Sequence, residues 1–248
     1  MLRKLILILL SILISITIVS CNHAAQINTI NTKLPRRGFL FFKKSVTLHQ
    51  CNKKKCSSLT SRSVASGFIV KIKEKGSFAI TAAHVCETAV RPTKPPIKAI
   101  ASYLAITTDG RQYEAKVLSY DSEIDVCMLF IKNLNQGVEE VIISPGPPAI
   151  GEKIYNYAAP RGLFRPGMVV LLEGRFNGNS GGVAWYTLPA APGSSGSMIV
   201  NIRGELVGML HSVYVYFPMI ALSTKYSGLR HFIEHNLGKH TNKFWIAR

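Results

Sequence analysis

Pro192-Gly193-Ser194-Ser195-Gly196-Ser197 is the stretch on which the fold of this chain turns, and it runs on through Met198-Ile199-Val200-Asn201-Ile202, Arg203-Gly204 and Glu205-Leu206-Val207-Gly208. Glycines on both sides of the serines let the backbone bend sharply and present the Ser195 side chain. The N–H groups of Gly193 and Ser195 then aim at one spot, where they can hold a developing oxyanion. The two apolar runs behind them, split at Arg203-Gly204, read as a pair of strands. Glycine-rich serine loops occur in many settings, so the surrounding chain has to support the assignment.

Outward from this stretch, strands are expected at residues 153–157, 168–173, 198–202, 206–216 and 219–222. A polar, proline-rich segment at 133–148 separates them from an earlier block, with strands at 45–49, 64–72, 78–81, 100–107, 114–118 and 124–131 and turns such as Asp109-Gly110. Two blocks of short strands with little helix point to an all-β chain. The order fits two packed six-stranded antiparallel barrels, the N-terminal one over 40–132 and the C-terminal one over 149–222. Ser223 is expected to cap a closing helix over 224–237. Leu229, Phe232, Ile233 and Leu237 would share its buried face, and Gly238 would stop it.

Two further segments carry chemistry. In Phe78-Ala79-Ile80-Thr81-Ala82-Ala83-His84-Val85 an apolar strand ends in small residues that let His84 pack closely on its partners. In Asp121-Ser122-Glu123-Ile124-Asp125-Val126-Cys127-Met128-Leu129, Asp125 sits one residue into an apolar strand. A carboxylate there is costly without a partner such as an imidazole N–H. Taken singly, His84 also fits a structural histidine, and Asp125 a strand-edge residue.

Together, in the chain order His, Asp, Ser, these segments resemble the trypsin-like (chymotrypsin-fold) serine peptidase superfamily, and within it the protease domain of bacterial HtrA/Deg proteins. Ser66-Gly67-Phe68-Ile69-Val70 resembles the family's glycine-containing strand before the histidine. Gly151-Glu152-Lys153-Ile154-Tyr155-Asn156-Tyr157-Ala158-Ala159-Pro160-Arg161-Gly162 resembles the opening of its second barrel. The likeness spans about residues 45–237. It implies a serine endopeptidase with His84, Asp125 and Ser195 as catalytic triad, Gly193 and Ser195 N–H groups as oxyanion hole, and neither metal nor cofactor. Gly178-Asn179-Ser180-Gly181-Gly182 is nearer to the family's usual wording around the nucleophile. Only Ser195, however, is followed by the expected strand, glycine turn and strand, so Ser180 is read as part of a glycine-rich loop, 175–182, between two strands.

The chain departs from the family pattern at Ser197, where a second glycine is usual, and at Met198, where proline is common. Glutamyl endopeptidases tolerate similar changes. No acid stands in Thr187-Leu188-Pro189-Ala190-Ala191-Pro192, so cleavage after Lys or Arg is not expected. Pro189, Ala190, His211, Ser212 and Val213 are the candidate substrate pocket, suited to a small or apolar side chain before the cleaved bond. His211 is displaced by one residue from the histidine that reads acidic side chains in glutamyl enzymes. That shift turns a strand side chain to the other face, where Asp125 is an alternative partner.

The N-terminus reads as a signal segment, residues 1–21. Arg3 and Lys4 precede an apolar run too short for an ordinary membrane span, and the run ends Ile18-Val19-Ser20-Cys21. This resembles a lipobox, making Cys21 the lipidation candidate; ordinary secretion and an uncleaved anchor are the alternatives. Residues 22–39 then form a tether to the protease domain, 40–248, and the protein is expected outside the cytoplasm, periplasmic or at the cell surface. The other cysteines agree with export. Cys51 and Cys56 bracket a hairpin tip and suit a cross-strand disulfide, while Cys86 and Cys127 either pair or stay as buried thiols. No Cys/His spacing suits a metal.

The formal net charge is +17, and twelve Lys or Arg lie between Lys33 and Lys75 against the single acid Glu74. Such a face attracts anionic surfaces, without a motif for specific nucleic-acid binding. The partners expected are protein or peptide substrates and a membrane, with an anionic surface as a further candidate. The competing function is a catalytically silent barrel module that holds an anionic polymer through this face. A stress protease with chaperone action is a third reading, less favoured because no peptide-binding domain follows residue 248.

Overall fold

The structure is a computed structural model that describes residues 34–51, 56–88 and 97–243, the last three without their side chains. The signal segment with Cys21, most of the expected tether and the tip at 52–55 lie outside the described residues. From Pro35 onward the chain forms one compact unit.

A 3₁₀ turn at Arg36–Gly38 leads into β1 (Phe39–Cys51), β2 (Cys56–Lys73), β3 (Gly76–Thr81), a single helical turn α1 (Ala83–Cys86), β4 (Ile97–Thr107), β5 (Gln112–Asp121) and β6 (Val126–Lys132). These strands close into an antiparallel barrel in the order β1-β2-β3-β6-β5-β4. Its core is filled by the fully buried Phe39, Phe42, Phe68, Phe78, Ile80, Met128 and Leu129. Burial of each such side chain is worth about 2 kcal/mol. Toward their far ends β1 and β2 stay paired from Ser45↔Arg62 to Cys51↔Cys56, β1 keeps β4 on its other side as far as Gln50↔Ile97, the β2 side is exposed, and the expected cross-strand disulfide joins the last β1–β2 pair.

The second barrel comprises β7 (Lys153–Ala158), β8 (Phe164–Arg165), β9 (Met168–Ser180), β10 (Val183–Thr187), β11 (Ser197–Asn201), β12 (Leu206–Val213) and β13 (Ile220–Thr224). Its strand order is β10-β13-β12-β11-β7-β9, and pairing of β9 with β10 from Ser180↔Val183 to Arg175↔Thr187 closes the ring. The two-residue β8 pairs only with β9. Ile154, Phe176, Tyr186, Leu188 and Ile199 fill this core. The closing helix α2 (Tyr226–Lys243) packs on β6 and β12, and Ser119 Oγ donates to Asn236 Oδ1 at 2.8 Å.

The expected pair of six-stranded barrels is thus present, with several local differences. Strand β10 was not anticipated, and the glycine-rich segment at 175–182 is the end of β9 plus a hairpin turn rather than a loop. Asp125 lies in the turn before β6, not inside the strand, with φ at +53°, a conformation Asp adopts more readily than most residues. Ser223 is not a helix cap. It belongs to β13, where its hydroxyl accepts the Met209 N–H at 2.9 Å and donates to the Thr224 carbonyl at 2.9 Å. Nor does Gly238 stop the helix, which continues to Lys243. A solvent-side glycine costs a helix only about 1 kcal/mol, so it need not break one. Leu229, Phe232 and Ile233 are buried as expected, while Leu237 is half-buried.

Gly67 shows how closely the first barrel is packed. A Cβ there would run into the Phe42 ring and stand 2.7 Å from the Ile80 carbonyl oxygen. Overpacking of this kind costs about 1–3 kcal/mol. Gly67→Ala is therefore expected to lower unfolding stability by about 2 kcal/mol in urea titration, and an unchanged midpoint would show that the neighbours give way freely.

Candidate active site

Strand β3 is buried along its whole length and stops where Ala82 turns the chain, extended, into α1. This carries His84 to the barrel rim with its side chain 48% exposed. Across from it, Asp121 Oδ1 accepts the N–H groups of Glu123 at 2.9 Å and Ile124 at 3.2 Å, which shapes the turn that presents Asp125. The carboxylate of Asp125 meets His84 three times: Oδ2 at 2.8 Å and Oδ1 at 3.2 Å from Nδ1, and Oδ1 at 2.9 Å from the backbone N–H. Nδ1–H thus faces the carboxylate, leaving Nε2 on the open side of the ring.

The two segments are also covalently joined. Cys86 stands two residues beyond His84 and Cys127 two beyond Asp125, and they form a disulfide with both residues buried. This decides between the paired and free-thiol alternatives. Its place beside the His–Asp contact could not be read from spacing.

Burial pushes the Asp125 carboxyl upward, but hydrogen bonds from the His84 ring and backbone, with the charges of His84 and His211, outweigh it and hold Asp125 below the usual carboxylate range. His211 lies on β12. Its Nδ1 lies 3.8 Å from Asp125 Oδ2 and 2.9 Å from Ser212 Oγ, and its side chain is 13% exposed. Burial lowers its pKa, opposed by Asp125 and assisted by the nearby His84. The alternative partner expected for this histidine is therefore the one it has.

Ser195 comes from the second barrel, on a loop tied to the first. Ser66 N–H donates to the Ser195 carbonyl at 2.9 Å, and Ser66 Oγ donates to the Gly193 carbonyl at 2.8 Å. Gly196, at φ +85°, passes so close to Thr81 and to the Ser66 carbonyl that no Cβ fits. Gly193 takes φ +100°. Among the described residues, neither the Gly193 nor the Ser195 N–H has a hydrogen-bond partner. Behind the loop, the buried Asn156 Nδ2 donates to Ser197 Oγ at 2.8 Å and to the Met198 carbonyl at 2.7 Å. From sequence Ser66 and Asn156 are only parts of strands, and nothing local signals partners so far along the chain.

The Ser195 hydroxyl makes a long contact of 3.5 Å with the His211 carbonyl and is not hydrogen-bonded to His84. His211 thus links the parts, its ring toward Asp125 and its carbonyl toward Ser195. Ser180 stands at the exposed β9–β10 hairpin, where its carbonyl accepts Trp185 Nε1–H at 3.2 Å. Of the candidate pocket residues, Ala190 is held by its N–H to the Pro218 carbonyl at 3.2 Å, and Ser212 and Val213 pair with β13. Pro189 lines a separate groove of about 490 Å³ with Ile150, Arg175 and Met219.

Comparison with known proteins agrees with the two-barrel fold. Residues 65–209 match the trypsin-like peptidase domain family. Over 154 residues the chain is 30% identical to a probable serine protease do-like protein of Buchnera aphidicola subsp. Acyrthosiphon pisum, which bears out the HtrA/Deg resemblance. That match takes in 60% of this chain and 29% of the relative, so the chain spans under a third of that protein's length. A serine endoprotease from Yersinia pestis has a similar fold, with a TM-score of 0.59 and 18% identity over 86% of this chain and 67% of that one.

Loss of the Cys86–Cys127 bond should loosen the seat of the His84–Asp125 pair. A bridge with a sequence separation of 41 restrains the unfolded chain by about 3–4 kcal/mol. Cys86→Ala/Cys127→Ala is expected to lose stability on that scale in urea unfolding. The Cys51–Cys56 bridge closes only a short ribbon tip, so the Cys51→Ala/Cys56→Ala variant should lose less. Equal losses would contradict the clamp.

Proposed function

The chain belongs to the trypsin-like peptidase family, and from that premise we propose that it is an exported serine endopeptidase in which His84, Asp125 and Ser195 form the catalytic triad. The observation that carries this reading is the His84–Asp125 contact, set beside a serine loop whose Gly193 and Ser195 N–H groups have no partner of their own.

In the proposed reaction Ser195 Oγ turns from the His211 carbonyl toward His84 Nε2, a contact of the kind that tightens only with substrate bound in many unliganded sites. His84 takes the hydroxyl proton as Ser195 attacks the substrate carbonyl carbon. Asp125 keeps Nδ1 protonated and stabilises the imidazolium. The oxyanion accepts hydrogen bonds from Gly193 and Ser195. His84 then gives its proton to the leaving amine, and water, deprotonated by the same histidine, releases the acyl group. Ala190, Ser212 and Val213 are the proposed walls for the side chain before the cleaved bond, a small or apolar one. His211 supports Asp125 rather than reading substrate.

Export is supported by the disulfides and by the do-like relative. Tethering through a lipidated Cys21 is part of the proposal. The His84–Asp125 contact and the unengaged Gly193 and Ser195 N–H groups support this reading over the binding-module alternative.

The test uses the full chain in detergent with a fluorophosphonate probe, followed by assay on unfolded casein. Wild type and Ser180→Ala should label and cleave, and Ser195→Ala should do neither, with activity down at least about 10³-fold. Loss in Ser180→Ala alone would overturn the assignment. A folded wild-type chain that does not label would favour a silent module.

A further inference from the structure

A groove of about 430 Å³ lies beside the Ser195 loop, between the two barrels. Its floor is aromatic: Phe41 of β1 stacks on Phe164 of β8 at 5.0 Å between ring centroids. Lys43, Arg161 and Arg165 line it, and no carboxylate does. All three cations are exposed, and none has an acidic partner among the described residues. Arg165 spends one N–H on the Phe164 carbonyl at 2.8 Å. What sets these three apart is their convergence on one aromatic-floored groove.

The groove is fixed to the reacting loop. Arg161 N–H donates to the Pro192 carbonyl at 2.6 Å, and a Cβ on Gly193 would lie 3.3 Å from that same nitrogen. Val64, in the groove wall, is two residues from Ser66, which holds both Ser195 and Gly193. The Ser195 loop therefore has two flanks. One is β12, which receives Gly196 N–H at the Leu210 carbonyl and faces the proposed pocket for the residue before the cleaved bond. The other is β2 with the Arg161 turn. A peptide whose acyl side lies on the first flank must leave across the second.

We propose that this groove, resting on the peptidase reading, is a subsite that selects an acidic side chain among the first three residues after the cleaved bond. Lys43, Arg161 and Arg165 supply the attraction, and the stacked Phe41 and Phe164 support the aliphatic part of the bound side chain. An arginine fork suits a carboxylate better than a neutral amide. Partial exposure keeps the gain modest, so the discrimination expected is about fivefold.

The full chain in detergent is used to digest a mixed peptide library, and the cleavage sites are read by mass spectrometry. Asp and Glu should be enriched about fivefold over Asn and Gln at one or more of the three positions after the cleaved bond. The enrichment should fall toward one in Lys43→Gln/Arg161→Gln/Arg165→Gln. In wild type it should weaken as salt is raised to about 0.5 M, a measurement that does not depend on the variant folding. A chain that labels with fluorophosphonate but shows no acidic preference, or one insensitive to salt, overturns the subsite alone. A folded chain that neither labels nor cleaves overturns the peptidase reading on which the subsite rests.

Discussion

Everything at the candidate site hangs on one fully buried hydroxyl residue, Ser66, at the seam of the two barrels. Its N–H and hydroxyl donate to the Ser195 and Gly193 carbonyls, its Oγ accepts the Ala159 N–H at 3.0 Å, and its carbonyl accepts Thr81 Oγ1 at 2.7 Å. Each bond is worth about 1 kcal/mol net, but a group left unpaired here costs about 1–3 kcal/mol, so the joint has little freedom to slip. With their carbonyls anchored inward, Gly193 and Ser195 keep their N–H groups unengaged. Thr81 carries the same constraint back to β3, the strand that delivers His84.

The barrels divide the work. The first brings a histidine and a carboxylate together, fixes them with three contacts and ties their segments with the Cys86–Cys127 bridge. The second presents the serine on a loop that only glycine can form at positions 193 and 196. His211 spans the division, with its ring toward the carboxylate and its carbonyl toward the serine. Burial lowers its pKa and the Asp125 charge opposes that shift.

Much of this was legible in the sequence because it is local. Strand–turn–strand after Ser195, small residues before His84 and the block structure on either side of residues 133–148 are patterns of neighbouring residues, and they located the barrels and the three candidate residues. What stayed hidden depends on distant pairing. Strand β10 follows a glycine-rich hairpin whose strand character comes from pairing with β13. Ser223 looks like a cap until β12 supplies its partner. Asp125 reads as a strand residue because the apolar run beginning at Val126 masks the turn that aims it. The disulfide clamp and the Ser66 joint join residues 41 and 127 positions apart, which no window of sequence displays.

The most direct measurement of the central claim, that residues from both barrels form one reacting centre, is a crystal structure of the chain after fluorophosphonate treatment. Phosphorus is expected on Ser195 Oγ, with one phosphonyl oxygen within about 3 Å of both the Gly193 and Ser195 nitrogens. His84 Nε2 should lie close to the adduct, with the Asp125 contact kept. An adduct on another residue, or a Ser195 adduct with its oxygen turned away from those nitrogens and His84 apart from it, would contradict the account.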